Sequence, residues 1–479
     1  MTTSIAVETQ PMYIGGEWVH TGERLTVKMP YDGSPIAELC QADTAALNRA
    51  IEAAQRGAPA MAEMTCGERA DLLLRLHDVM KRDQAEFSHL ICLETGKPIK
   101  EARIEAERSL QTILSASTEA RILHGEMIPI DSAPIGKGRM AMTIREPIGI
   151  VAAITPFNVP LNLALHKVCP AIAAGNAVVH KPAEQTSLSS VRLAHALEEA
   201  GLPKGAYNLV LGSGSKLGPL LARDPRIAMI TFTGSVPVGK SIRAIAGLKR
   251  VTLELGNNSA VIVEPDADLD LAASRCVPGA FSHSGQVCIS VQRIYVHESV
   301  ADDFTSRYVE NTGKLKIGHP LEDSTDISSL INDREAVRVD QWIEEAVHGG
   351  AQRLTGGPRQ FATIPPTVLA GAPADVKISC QEVFGPVVNI VRYRDFEQAI
   401  ALANDSEYGL QAGIFTNNIQ RAFSAARKLQ VGGVIINDVS AFRADHMPYG
   451  GVKESGNGRE GPRYAIEEMT ELKLICWRV

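Results

Sequence analysis

The chain has 479 residues, of which 45% are hydrophobic and 22% charged, so it is long enough for two or three domains around a substantial core. Its formal net charge of −7 and its aromatic content of only 5% argue against nucleic acid or an anionic membrane as a partner, and no stretch has the pattern of a signal peptide or a membrane span. Its eight cysteines show no paired spacing, which argues against a disulfide framework or a metal site and leads us to expect a cytoplasmic protein.

The first long segment of regular pattern is helical. Between about 41 and 124, apolar residues recur at spacings of three and four, which is typical of amphipathic helices. The segment 125–146 then shows short alternating runs separated by glycine and proline. It predicts a strand arm that leaves the helical body.

From residue 147 onward, strand-like and helical patterns alternate. The apolar runs GIVAAITP, NAVVHKP, YNLVLG and IAMITFTGS are each followed by a helical segment. This alternation predicts right-handed crossovers and a doubly wound parallel sheet, which binds ligands at the carboxyl ends of its strands. A second α/β series runs from about 257 to 455, and the chain ends in a strand-like run that we expect to pair with another subunit. The predicted fold class is α/β.

Two stretches of this region are candidates for phosphate and ribose binding. In TFTGSVPVGKSI, Gly234 and Ser235 lie where a strand ends and a helix begins, so free backbone N–H groups could face a diphosphate. The alternative is an ordinary loop in which Ser235 caps the helix. In VVHKPAEQT, Lys181 and Glu184 follow a strand and could hold ribose hydroxyls, unless they lie in a solvated loop.

Three further residues have types that catalyse acyl chemistry. Glu254, in the apolar strand VTLELGNN, would have a raised pKa if buried, as a general base needs, although it could equally face solvent. Asn158, between two prolines in TPFNVP, could donate to a developing oxyanion or be a simple turn residue. Cys288, in FSHSGQVCIS, could attack a carbonyl as a thiolate, but the local sequence does not distinguish it from Cys276.

The order of these motifs resembles the aldehyde dehydrogenase superfamily. TPFNVP, KPAE, FTGS, LELG, GQVC, EVFGP (382–386) and PYGGVKESGNGREG (448–461) follow one another along the chain. The resemblance extends from about Tyr13 to the C-terminus. Two departures stand out, namely Asn257 in place of the second glycine of LELGG, and Val159 where many relatives carry a larger aromatic residue.

The resemblance implies a doubly wound cofactor domain at 1–124 and 147–256, and an α/β catalytic domain at 257–455. It implies an oligomerisation arm formed by 125–146 and the terminal 456–479, and hence a homodimer or homotetramer.

The resemblance also implies a mechanism and the residues that perform it. Cys288 would form a thiohemiacetal with an aldehyde, and Asn158 with the Cys288 backbone N–H would hold its oxyanion. After oxidation to a thioester, Glu254 would activate the water that releases a carboxylic acid. Cys276 matches no family motif and is expected to be structural.

A nicotinamide cofactor is implied together with its contacts. The residues expected to bind it are Ile154, Thr155, Lys181, Glu184, Gly214, Phe232, Gly234, Ser235, Leu255, Glu382 and Phe384. A carboxylate at Glu184 would bind a free 2′-hydroxyl and repel a 2′-phosphate, which favours NAD, while Lys181 could soften that repulsion and permit NADP.

The predicted substrate is a short polar or anionic aldehyde, such as lactaldehyde, glyceraldehyde, its phosphate or a semialdehyde. Arg443 and Arg108 fall where relatives line their substrate tunnel, and two guanidinium groups would suit a carboxylate, phosphate or sulfonate tail. The alternative is that both are surface or ion-paired arginines. A coenzyme-A-acylating enzyme and a non-catalytic binding protein stay open, although Glu254 counts against the first. A cysteine hydrolase would need a histidine that no motif supplies.

Overall fold

The computed structural model describes residues 8–479 as an α/β protein. The strands are β1 (Thr9–Gln10), β2 (Met12–Ile14), β3 (Glu17–Val19), β4 (Arg24–Lys28), β5 (Pro35–Cys40), β6 (Met127–Ile128), β7 (Arg139–Pro147), β8 (Ile150–Ile154), β9 (Ala177–Lys181), β10 (Tyr207–Leu209), β11 (Met229–Thr233), β12 (Arg250–Glu254), β13 (Ser259–Val263), β14 (Val291–His297), β15 (Gln352–Arg353), β16 (Thr367–Ala370), β17 (Val387–Tyr393), β18 (Gln411–Phe415), β19 (Gly433–Ile436), β20 (Gly456–Asn457) and β21 (Thr470–Arg478).

The α-helices surround these strands. They are α1 (Thr44–Glu63), α2 (Cys66–Arg82), α3 (Gln84–Thr95), α4 (Ile99–Ile122), α5 (Pro160–Ala174), α6 (Leu188–Glu199), α7 (Gly214–Arg223), α8 (Val236–Ile245), α9 (Leu269–Phe281), α10 (Ala301–Gly313), α11 (Asp333–His348), α12 (Lys377–Cys380), α13 (Phe396–Asn404), α14 (Ile419–Lys428) and α15 (Pro462–Glu468). None of the helices within residues 8–479 is long and apolar enough to cross a membrane.

The helical region predicted for 41–124 is confirmed as α1 to α4. Asp43 begins α1 by accepting a 2.7 Å hydrogen bond from the backbone N–H of Ala46. Thr65 and Glu68 form a reciprocal capping box at the start of α2. These caps satisfy N–H groups that the first helical turn leaves without partners.

The first large sheet brings four strand ends to one edge. Its order is β20-β12-β11-β8-β9-β10-β2-β3, and β8 to β12 run parallel to one another as the alternating pattern predicted. In the register, Ile154 lies opposite Lys181, and Thr233 lies opposite Glu254. The carboxyl ends of β8, β9, β11 and β12 therefore meet, which is where such sheets bind ligands.

The second large sheet holds the segment that contains Cys288. Its order is β15-β16-β17-β14-β13-β18-β19, and all of its pairings except β15 with β16 are parallel. Cys288 lies after α9 and three residues before β14, in a loop between that helix and the sheet. The second α/β series predicted from the sequence is thus present.

The predicted arm forms a small sheet of its own, in the order β21-β7-β6. β21 pairs antiparallel with β7 over nine residues, from Thr470 opposite Pro147 to Arg478 opposite Arg139. The terminal strand therefore pairs within the same chain, and its outer edge has no partner among residues 8–479. β20 joins the first large sheet rather than the arm. The domain boundaries themselves stay predictions.

Candidate active site

The three predicted catalytic side chains line one small cavity. Cys288, Glu254 and Asn158 border a space of about 50 Å³. The same cavity is lined by both predicted substrate arginines, Arg108 and Arg443. Residues from far apart in the chain therefore line the same cavity as Cys288.

The Cys288 thiol is held protonated in this cavity. Burial raises its pKa to about 11, although a hydrogen bond with Tyr449 and the charge of Arg443 act in the opposite direction. Its sulfur lies 2.9 Å from the Tyr449 hydroxyl oxygen. Cys276 by contrast is completely buried inside α9, and desolvation raises its pKa strongly. The cysteine that faces the cavity is thus the one that matched the motif.

Asn158 is fixed beside the cysteine loop. It lies between β8 and α5, and Pro160 at the first position of α5 ends the loop. The Asn158 side chain is buried, and its Nδ2 donates a 2.8 Å hydrogen bond to the backbone carbonyl of Gln286. One amide hydrogen is left for a ligand, which suits the predicted contact with an oxyanion.

Glu254 is buried rather than solvent-facing. It is the last residue of β12, is 3% exposed, and neither carboxyl oxygen has a hydrogen-bond partner among residues 8–479. Desolvation, with the negative charge of Glu460, raises its pKa well above the ordinary value. A raised pKa makes the carboxylate a stronger base than an exposed glutamate, which suits a general base.

Sequence reasoning missed a charged cluster next to Glu254. Glu460 accepts hydrogen bonds from Lys167 Nζ at 2.7 Å and from Arg443 Nη2 at 2.9 Å. Burial alone would raise the pKa of Glu460, but these two cations hold it well below the ordinary value. A backbone bridge places Glu460 opposite Tyr449. Both residues lie in PYGGVKESGNGREG, which was the available signal.

Both predicted substrate arginines are ion-paired, and both also line the cavity. The Arg443 guanidinium lies 3.7 Å from the ring centre of Tyr449 and is only 7% exposed, so a surface position is excluded for it. Arg108 makes a two-fold contact with Asp445, from Nε at 3.1 Å and from Nη2 at 2.8 Å. Both arginines are therefore ion-paired, as the alternative predicted. Each nevertheless lines the cavity, so either could still contact a substrate.

A second set of predicted residues meets at the ends of β9 and α7. Lys181 is buried, its Nζ donates a 2.8 Å hydrogen bond to the carbonyl of Pro182, and desolvation lowers its pKa to about 8. Glu184 accepts a 2.9 Å hydrogen bond from the backbone N–H of Gly214, the first residue of α7. The structure therefore groups three of the residues predicted to bind the cofactor.

The loop after β11 leaves a helix start available. Ser235 precedes α8 but its side chain makes no capping hydrogen bond, so the cap alternative is not what the structure shows. The first N–H groups of α8 are therefore open to an anion. Ile154, Thr155, Phe232 and Leu255 lie at or directly after the ends of β8, β11 and β12, and Leu255 also lines the Cys288 cavity.

Glu382 and Phe384 lie in the loop before β17. Glu382 accepts a 3.0 Å hydrogen bond from the backbone N–H of Asn257, and burial raises its pKa to about 7. A Cβ at Gly256 would lie 2.5 Å from its carboxylate, so the LELG glycine allows this close approach. Phe384 has a left-handed backbone, with φ of 49°. A dinucleotide cofactor could be bound by Glu382, Phe384 and Lys181 together with the free N–H groups at the start of α8.

The comparison with known proteins decides the family. The model of the aldehyde dehydrogenase family matches residues 18–475. The chain belongs to the aldehyde dehydrogenase family. The predicted α/β fold and the prediction of a nicotinamide-dependent oxidoreductase are confirmed by this membership.

Individual aldehyde dehydrogenases are similar over almost the whole chain. The 3-sulfolactaldehyde dehydrogenase of Priestia megaterium is 48% identical over 475 residues, which cover 99% of each chain. The lactaldehyde dehydrogenase of Methanocaldococcus jannaschii is 40% identical over 468 residues, or 97% of this chain and 99% of that one.

Solved aldehyde dehydrogenases share the fold. Aldehyde dehydrogenase 21 from Physcomitrella patens, in complex with the reaction product succinate, superposes with a TM-score of 0.97 at 39% identity and covers 99% of each chain. The glyceraldehyde-3-phosphate dehydrogenase GapN of Methanocaldococcus jannaschii, complexed with NADP, has a TM-score of 0.92 at 40% identity, covering 96% of this chain and 100% of that one.

Proposed function

We propose that the enzyme oxidises a short, oxygenated aldehyde with an anionic tail to the carboxylic acid, and that it prefers NAD to NADP. One observation carries the substrate class, namely that Arg108 and Arg443 line the same cavity as Cys288. Similar proteins named for 3-sulfolactaldehyde, and a similar structure holding succinate, support an anionic tail. The roles of the catalytic residues are part of the same proposal, and the positions of their side chains support them.

The first step is the addition of the Cys288 sulfur to the aldehyde carbon. Because burial keeps the thiol protonated, its proton must leave before or during the attack. The hydrogen bond with Tyr449 and the charge of Arg443 favour the thiolate, and the proton passes to solvent water. The aldehyde oxygen then becomes an oxyanion, which the free amide hydrogen of Asn158 stabilises.

The second step converts the thiohemiacetal into an acid. A nicotinamide cofactor held by the residues around Lys181 and Glu184 would supply the hydride acceptor, and Cys288 would then carry the acyl group as a thioester. Glu254 then removes a proton from a water molecule that attacks the thioester carbon. The carbon–sulfur bond breaks, the carboxylic acid leaves, and the Cys288 thiolate takes up the proton held by Glu254 to return to its thiol form.

Glu184 carries the preference for NAD. Its carboxylate lies at the start of α7 beside the buried Lys181, where it would accept hydrogen bonds from a ribose 2′-hydroxyl. A 2′-phosphate would place like charges together, while Lys181 offsets part of that repulsion.

We expect Glu184→Gln to raise kcat/KM for NADP relative to NAD by about tenfold, because the amide keeps the size of the side chain and removes its charge. Steady-state kinetics with each cofactor at a fixed aldehyde concentration measures the ratio. Glu407→Gln, at a position remote from β9 and α7 in the sequence, serves as the charge-matched control. An unchanged ratio would contradict the role given to Glu184.

We expect Arg108→Leu to raise KM for glyceraldehyde 3-phosphate by about ten- to hundredfold, because a hydrogen bond to a charged group is lost. KM for propanal, which has no anionic tail, should change by less than about threefold. Arg108 is the better test of the pair, since Arg443 also holds the buried Glu460 and stacks on Tyr449. Equal losses with both aldehydes would contradict an anion-binding role.

A homodimer or homotetramer and a cytoplasmic location are part of the proposal. The small sheet of β21, β7 and β6 exposes apolar side chains that a second subunit would cover, among them Leu472, Leu474 and Trp477. The dispersed cysteines of the sequence suit a reducing compartment.

A further inference from the structure

A second and larger cavity adjoins the cavity at Cys288. Its volume is about 280 Å³, and we call it the vestibule. Arg108, Val159 and Val287 line both spaces, so they form the junction between them. An aldehyde whose carbonyl carbon lies at Cys288 would therefore extend its tail past Arg108 towards the vestibule.

His283 lines the vestibule and has an unusual environment. His283 is only 2% exposed, yet neither of its ring nitrogens, Nδ1 and Nε2, has a hydrogen-bond partner among residues 8–479. Buried polar groups are nearly always hydrogen-bonded, so an imidazole with no partner on a cavity wall indicates a ligand.

The backbone holds this imidazole in place at some cost. His283 and Ser284 are consecutive non-glycine residues in the left-handed region, with φ of 50° and 54°. The N–H of His283 donates a 2.7 Å hydrogen bond to Glu101 Oε2, and Ser284 Oγ donates one of 2.8 Å to the carbonyl of Ser328. Strain of this kind persists where surrounding contacts fix it, and it is common at ligand sites.

The imidazole is neutral in this environment. Burial, together with the charge of Lys97, holds the pKa of His283 well below its ordinary value. A neutral ring offers one N–H donor and one acceptor nitrogen. It can donate to an anionic oxygen without placing a further positive charge beside the buried ion pair of Lys97 with Glu105.

We propose that His283 is a specificity-determining residue, whose ring N–H donates a hydrogen bond to the terminal sulfonate, phosphate or carboxylate of the aldehyde while Arg108 at the junction supplies the opposing charge. This inference rests on the proposed function and adds the second group that recognises the tail. It gives a role to a residue of the FSHSGQVC stretch other than its cysteine.

Two substitutions are compatible with the left-handed backbone at position 283. Together they distinguish loss of the imidazole ring from loss of the hydrogen-bond donor. Asparagine tolerates φ near 50° and keeps an N–H donor, whereas glycine tolerates that φ and has no donor. We expect His283→Gly to raise KM for glyceraldehyde 3-phosphate by about tenfold with little change in kcat, and His283→Asn to recover most of this loss. KM for propanal should change by less than about twofold. His348→Asn, on an exposed histidine at the end of α11, is the control.

A binding measurement tests the contact between His283 and the anionic tail independently of turnover. Calorimetric titration with 3-phosphoglycerate, the acid that carries the same phosphate tail, should show a Kd about tenfold higher for His283→Gly than for the unaltered protein. Equal losses for both aldehydes, or an unchanged Kd in His283→Gly, would overturn the role of His283. Absence of turnover in the unaltered protein with intact 3-phosphoglycerate binding would instead contradict the proposed function alone.

Discussion

Replacing Cys288 with alanine should abolish aldehyde oxidation, with a fall in kcat of about ten-thousandfold or more. The reason is that the sulfur forms the covalent bond on which both later steps depend, and among residues 8–479 no other cysteine lines the small cavity. The measurement is the formation of reduced nicotinamide by purified protein with excess NAD. Neither a burst nor steady turnover should occur.

The matched control for this substitution is Cys276→Ala. Cys276 is buried in α9 and lies twelve residues before Cys288 in the chain, so it tests whether any nearby thiol suffices. The control should keep its turnover, even if removal of a buried sulfur lowers its melting temperature by a few degrees. Turnover by Cys288→Ala, or its loss in a folded Cys276→Ala, would reverse the assignment.

Replacing Glu254 with glutamine should stop turnover after a single cycle. Glutamine has nearly the same shape but cannot accept the proton of the attacking water, so thioester hydrolysis should slow by about a hundred- to ten-thousandfold. Stopped-flow absorbance should still show a burst of reduced nicotinamide approaching one per subunit, followed by a very slow steady rate. Cys288→Ala, which cannot form the thioester, is the control without a burst.

Two outcomes of the Glu254→Gln experiment would contradict the role given to this residue. Undiminished steady turnover would remove Glu254 from the hydrolytic step. Restoration of rapid turnover by coenzyme A, with an acyl-coenzyme-A product, would favour the acylating alternative. Because Glu254 accepts no hydrogen bond from residues 8–479, the substitution breaks no hydrogen bond of that side chain, and loss of activity should not reflect unfolding.

The parallel sheets could be predicted from the sequence because parallel strands are joined by crossover helices. In these helices apolar residues recur at spacings of three and four, which the sequence shows. The strand at Gln411–Phe415 was not predicted, although it lies between β13 and β19. It contains Gly413, where a Cβ would lie 2.6 Å from the carbonyl oxygen of Asp438. In a sequence, glycine is usually taken as evidence against a strand. Here glycine is needed because the neighbouring backbone lies too close for a Cβ atom.

The catalytic residues could be predicted through the resemblance of their motifs, but their environments could not. Whether Glu254 faced solvent was open, because burial depends on segments far away in the chain, including the one that brings Glu460 close. Tyr449 and Glu460 pair across a bridge that no local pattern reveals. Lys167 lies in an apolar helix, where nothing in the sequence indicates that its Nζ reaches Glu460.

The most direct measurement is the intact mass of Glu254→Gln after mixing with NAD and glyceraldehyde 3-phosphate, followed by peptide mapping. The proposed chemistry predicts one covalent acyl group per chain, located on the peptide that carries Cys288 and absent from the Cys288→Ala, Glu254→Gln double variant. Propanal should give the smaller acyl group at the same residue. Reduced nicotinamide formed without any acyl group on Cys288, or an acyl group on another cysteine, would contradict it.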